Sequence, residues 1–134
     1  ELINQLNKEN NFFFFLLCGP NEKNIADEIL EKIDTDCCLS LHSKKISEIT
    51  PLISLSDIYV GNDSFGHHIA SQCNIPSIII MLDTPRAYTD YSKKQFRVLP
   101  EGIKDDDITH DSNFSPDSIS VKKVLEKVNS ILNL

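Results

Sequence analysis

Positive charge is scarce in this sequence. Thirteen lysines and arginines stand against 20 aspartates and glutamates among 134 residues, a net charge of −7. Nonspecific binding to nucleic acid or to an anionic membrane needs a basic field, so neither is expected, although a local phosphate site is still allowed. The four cysteines, Cys18, Cys37, Cys38 and Cys73, form no CxxC pair. Three of them lie in apolar runs, which predicts buried thiols in a reducing, cytoplasmic setting. No apolar run is long. The stretch from Phe12 to Leu17 is far short of the roughly 20 residues a membrane-spanning helix requires, and no signal peptide is visible. Internal repeats and low-complexity tracts are missing as well. There is no initiator methionine either: the sequence opens on Glu1, and it is expected to be a single domain, residues 1–134, from the C-terminal part of a longer two-domain protein.

What is present is alternation. Leu2, Ile3 and Leu6 predict a short helix stopped by Asn10–Asn11. Phe12 to Leu17 then reads as a strand buried on both faces, as in a parallel sheet. Ile25, Ala26, Ile29, Leu30 and Ile33 form a helical stripe between Glu22 and Ile33. Residues 37–41 read as a second strand. Residues 47–54 read as a helix, with Pro51 early enough for a first turn. Asp57 to Val60, Ser77 to Ile80 and Phe96 to Leu99 are further strands. A helix from Ser64 lies between the first two, and an amphipathic helix closes the chain from Ser118 to Leu132. Strands alternating with helices predict an α/β fold, a Rossmann-like parallel sheet with helices on both faces.

The stretch DIYVGNDSFGHHIASQCNIPSIIIM, Asp57 to Met81, is the centre of this pattern. Its loop falls where a strand ends and a helix begins, the edge at which ligands of open parallel sheets collect and where helix N–H groups attract anions. Asp63 reads as an N-cap, a functional group, or both. Ser64 offers a hydroxyl for a phosphate or is an ordinary first-turn serine. Gly66 costs a helix about 1 kcal/mol relative to alanine, which a close approach by a ligand or by backbone would explain. His67 and His68 are adjacent and diverge by about 100° on a helix. The four-residue spacing puts His68 on the face of Ser64 and leaves His67 as a packed residue. A metal is not expected, because Asp63 and His68 lack a second histidine at ligand spacing. Glu22 is placed to bond sugar hydroxyls or to favour the positive end of its own helix. Arg86 and Tyr88 sit in a loop that either closes on a phosphate or is solvated surface.

The run Gly61-Asn-Asp-Ser-Phe-Gly-His-His-Ile-Ala70, followed by Asn74-Ile-Pro-Ser77 and an apolar strand, resembles the C-terminal motif of glycosyltransferase family 9, the ADP-heptose:lipopolysaccharide heptosyltransferases and their relatives. The strand, turn and helix of Phe12 to Ile29 and the stretch Ile46 to Asp57 are similar to the family's elements in the same order. The resemblance implies the C-terminal, donor-binding half of a GT-B fold. Asp63, Ser64, Gly66 and His68 would line the donor diphosphate. Glu22 would meet the ribose, and Lys44, Lys45 and Ile46 the nucleobase. The implied substrate is a nucleotide-diphosphate sugar, an ADP-sugar above others, with a glycan or lipid-linked acceptor and no cofactor or metal. The implied catalytic base lies in an N-terminal domain and has no counterpart here, so the isolated chain would bind donor without turning it over. That domain would also supply any attachment to the inner membrane. The family's glycine after Ser/Thr is Phe65 in this sequence. Three other readings remain beside this one: a nucleotide-sugar epimerase of the same fold, a degenerate, non-catalytic nucleotide-binding domain, and a phospho-acceptor receiver domain. The receiver would need an acidic pair after the first strand, where this chain has Cys18-Gly-Pro-Asn21.

Overall fold

The computed structural model describes residues 1–9, 12–34 and 36–134. Contacts divide the chain into two compact units, Glu1–Leu52 and Ile53–Leu134. The first holds α1 (Leu2–Glu9), β1 (Phe14–Leu16), α2 (Lys23–Glu31), β2 (Cys38–Ser40) and most of α3 (Ile46–Ser54), within which the division falls. The second holds β3 (Tyr59–Asn62), α4 (Phe65–Gln72), β4 (Ser77–Ile80), β5 (Gln95–Val98) and α5 (Val121–Leu132). The expected stop of the first helix at Asn10–Asn11 lies outside the described residues.

The class is α/β, with parallel strands in open sheets. In the first unit β1 pairs with β2, from Phe14 opposite Cys38 to Leu16 opposite Ser40. In the second the order is β3-β4-β5, all parallel, with Asn62, Ile80 and Val98 side by side at one end. The apolar run of β4 is central. Ser77, Ile78 and Ile79 are fully buried there. The strand from Phe12 to Leu17 was expected to be buried in the same way, but it is not. All three residues of β1 are half-buried and Phe13 is 60% exposed. Among the described residues β1 has one strand neighbour, so its phenylalanines pair along the strand instead, Phe12 with Phe14 and Phe13 with Phe15. The cysteines depart from expectation too. Cys37 is exposed and the other three are only partly covered.

Two further differences have local causes. Helix α3 starts at Ile46, so Pro51 is its sixth residue and lies beyond the first turn. The Glu48 carboxylate accepts the Lys45 N–H at 3.0 Å and closes the start of that helix. Strand β3 runs two residues later than Asp57–Val60, with Tyr59 N–H donating to the Pro76 carbonyl at its start. Gly61 is therefore inside the strand rather than at its end. A side chain there would put Cβ 2.5 Å from the Tyr59 hydroxyl, two residues back on the same face.

Candidate functional site

Parallel strands in register bring their carboxyl ends to one edge. In the second unit Asn62 ends β3 directly beside Ile80, which ends β4. The segments that follow them enclose a cavity of about 250 Å³ lined by Asn62, Asp63, Ile80, Leu82, Asp83 and Thr84. Its wall has two carboxylates and no cation, so it suits a ligand part rich in hydroxyl donors rather than an anion.

Helix α4 starts at the rim of this cavity. Ser64 is its N-cap, with extended backbone (φ −152°, ψ 178°), but its side chain does not cap the helix. The Ser64 hydroxyl instead lies 3.2 Å from the hydroxyl of Tyr59. The Tyr59 hydroxyl is also within 3.4 Å of the Asn62 carbonyl, to which it donates, so a tyrosine from the preceding strand lies against the start of the helix. Burial raises the Tyr59 pKa first. Ser64 opposes that shift, the charge of Asp63 adds to it, and the phenol stays protonated.

Asp63 was expected at the N-cap and stands one residue before it. Its carboxylate turns to the two histidines: Oδ1 is 3.1 Å from His67 Nδ1 and 3.6 Å from His68 Nε2. His67 is completely buried, as expected of a packed residue, while His68 is 49% exposed. Burial pushes the His67 imidazole below its ordinary pKa, against the hydrogen bond and charge of Asp63. Its Nε2 meets no partner at hydrogen-bonding geometry, although the Gln95 amide is near enough to favour the charged ring. Tyr91 covers both imidazoles, stacked on His67 at 5.6 Å and tilted against His68 at 5.5 Å. His67 Nδ1 thus reaches the same carboxylate oxygen as His68 Nε2.

Asp63, Ser64 and His68 come together at this corner. Gly66 is in the same helix turn but is buried, so what approaches it is the protein interior. The loop after β4 is fixed from behind by Arg97 of β5, whose guanidinium, 8% exposed, donates to Asp105 at 2.6 Å, to the Thr89 hydroxyl and to the Thr84 carbonyl at 3.4 Å. Arg86 is held by Asp90 at 2.9 Å. The other candidates belong to the first unit. Glu22 precedes α2 and accepts the Gly19 N–H, closing its own turn. Lys44 Nζ is 3.5 Å from Glu48, and the Lys45 side chain is exposed.

The sequence reading missed Tyr59, Tyr91, Asp83 and Thr84. The last two directly follow the second parallel strand, so the rule that singled out Asp63 applies to them equally. Nothing in local spacing links Tyr91 to residues 67 and 68.

A family model described as glycosyltransferase family 9 (heptosyltransferase) matches residues 1–109. The chain belongs to that family. No curated protein matches it. Among solved structures, that of E. coli ADP-heptose LPS heptosyltransferase II is similar: it superposes with a TM-score of 0.75 at 22% sequence identity, over 98% of this chain and 39% of that one. This family 9 chain therefore spans well under half the length of the structure it resembles. No described helix is long and apolar enough to cross a membrane.

Proposed function

We propose that this chain is the donor-binding part of a glycosyltransferase that moves a sugar, heptose or a relative, from a nucleotide diphosphate to a glycan or lipid-linked acceptor. The observation that carries the reading is the corner after β3. A serine hydroxyl released from capping and a half-exposed histidine stand at a helix start beside an uncharged-ligand cavity. In this reading the diphosphate lies against the start of α4, with Ser64 and His68 donating to its oxygens. The sugar enters the cavity, where Asp63, Asp83, Asn62 and Thr84 accept and donate to its hydroxyls. As the sugar departs, negative charge grows on the diphosphate, and fixed donors with the helix dipole stabilise it more than they stabilise the ground state.

The acidic cavity wall argues for this orientation, because a diphosphate placed inside would face two carboxylates. Glu22 for the ribose and Lys44–Lys45 for the base rest on the family resemblance; the 64% exposed Ile46 beside them is an apolar surface suited to a planar ring. The transfer as proposed uses no metal. The base that activates the acceptor belongs to a separate N-terminal domain, which also makes any contact with the inner membrane of the cytoplasm.

A thermal-shift titration with ADP, GDP, UDP and CDP, with and without Mg²⁺, tests the reading. Ligand at 100 times its Kd adds about 2.7 kcal/mol, which raises Tm by several degrees for a chain of this size. A Mg²⁺-independent shift with one nucleotide, lost in Ser64→Ala and in His68→Ala, is the expected result. No shift with any of the four would overturn donor binding by this chain.

A further inference from the structure

A phenol has one proton to give, and Tyr59 has two oxygens within reach. Its hydroxyl donates to the Asn62 carbonyl at 3.4 Å and lies 3.2 Å from the Ser64 hydroxyl. The phenol stays protonated, so with that proton on the carbonyl the shorter contact is made by the proton of Ser64. This pairing keeps the serine off the helix N–H groups that an N-cap serine ordinarily serves. The strand keeps room for it. Tyr59 and Gly61 share a face of β3, and a Cβ at residue 61 would stand 2.5 Å from the phenol oxygen and 2.9 Å from the ring carbon that bears it. Glycine weakens a strand interior, and here its missing side chain is the space that the hydroxyl occupies.

We propose that Tyr59 is a positioning residue for the diphosphate: when the anion binds, Tyr59 turns its O–H to Ser64 and so frees the serine's own O–H for the ligand. The inference rests on the donor reading above and deepens it. No covalent bond changes, because both hydrogens only rotate about their C–O bonds. The Ser64 O–H swings from Tyr59 to a phosphate oxygen, and the Tyr59 O–H swings from the Asn62 carbonyl to Ser64 Oγ. What is given up is the longer of the two contacts, made to an exposed residue. What is gained is a chain from Tyr59 through Ser64 to phosphate, in which each O–H polarises the next. Such a chain strengthens as charge grows on its last acceptor, and departure of the sugar makes that charge grow. Tyr59 acts through Ser64, and the exposed serine makes the contact.

Tyr59→Phe removes the hydroxyl and keeps the ring, so folding should be intact, which unchanged circular dichroism checks. The native chain, Tyr59→Phe, Ser64→Ala and the double variant are each titrated to saturation with ADP, GDP, UDP and CDP, and with inorganic pyrophosphate. Ser64→Ala gives up a hydrogen bond to an anion, about 10–100-fold in affinity. Tyr59→Phe should weaken binding by roughly 3–10-fold, the worth of a neutral hydrogen bond. The double variant should bind like Ser64→Ala alone, because without the serine Tyr59 has nothing to position. A tyrosine that merely supported the strand would weaken binding in both backgrounds, and additive losses would therefore overturn the proposal. So would unchanged or tighter binding in Tyr59→Phe, the latter meaning that the phenol competes for the serine. Those results, with a native response that Ser64→Ala abolishes, leave the donor reading standing. A native chain that responds to neither nucleotide nor pyrophosphate overturns both.

Discussion

Two helices of the second unit open on a serine, and the two serines do opposite things. In α5 the Ser120 hydroxyl accepts the Lys123 N–H at 3.2 Å, a side-chain cap that closes the helix end. In α4 the Ser64 hydroxyl caps nothing and faces the hydroxyl of Tyr59. Both residues have non-helical backbone and both are exposed. The difference lies in the neighbours. Tyr59 lies against the start of α4, where its hydroxyl faces that of Ser64 and reaches the Asn62 carbonyl. A helix start becomes available to a ligand when its serine is not spent on capping, and here the serine faces a residue of the preceding strand.

The largest effect on this contrast should come from Arg97. It holds Thr84 and Thr89 in the loop after β4, whose Tyr91 covers α4, whereas α5 is tied by its own Lys123, which donates to the Leu99 carbonyl at 2.7 Å. Arg97→Met leaves Asp105 without its closest cation, and breaking a largely buried pair of this kind costs about 3 kcal/mol. Urea denaturation reads the loss. Amide exchange should show α4 and the loop opening before α5; equal loss of protection in both helices would mean that Arg97 supports the unit as a whole.

Gly61→Ala strikes the tyrosine that faces Ser64. The added methyl carbon meets the Tyr59 hydroxyl at 2.5 Å, and Tyr59 has to move. Overpacking of this sort costs about 1–3 kcal/mol. Gly61→Ala combined with Tyr59→Phe should then lose little more than Gly61→Ala alone, because both remove the same contact. Full additivity would separate the two residues.

Acid acts on α4 and not on α5, which carries no histidine. The folded-state pKa of His67 is below its ordinary value, chiefly through burial. Above about pH 6.5 both folded and unfolded chains hold this ring neutral. As the pH falls past that point the unfolded chain binds the proton first, so stability decreases until the folded ring is protonated as well. Urea midpoints at several pH values should show this slope in the native chain and a flatter one in His67→Gln. Parallel slopes would assign the acid sensitivity elsewhere.

Much of this architecture could be read from hydrophobic period alone. Strand β4 falls on Ser77–Ile80 as predicted, because a strand in the centre of a sheet, with Ser77 to Ile79 buried and Ile80 partly so, is written mostly in apolar residues. The phenylalanine run gave the position of β1 but not its burial, since an apolar run does not reveal how many neighbours a strand will have. At the site, strand-then-helix order pointed to Asp63, Ser64 and His68. The pairing of Asp63 with both histidines was not legible, because it depends on ring rotation within one helical turn. Tyr59 was hidden for another reason: its role depends on Gly61 being inside the strand rather than at its end.

The smallest effects separate the two serines themselves. Ser120→Ala removes a real cap and should cost about 1 kcal/mol of stability, with nucleotide response unchanged. Ser64→Ala removes a hydroxyl that does no capping, so its cost should be only a few tenths of a kcal/mol. The nucleotide-induced shift should nevertheless be lost in Ser64→Ala. Stability and ligand response are thus expected to part in opposite directions at two chemically identical substitutions. If Ser64→Ala is as destabilising as Ser120→Ala, the hydroxyl is a cap after all, and its loss of ligand response would follow from a frayed helix rather than from a missing donor.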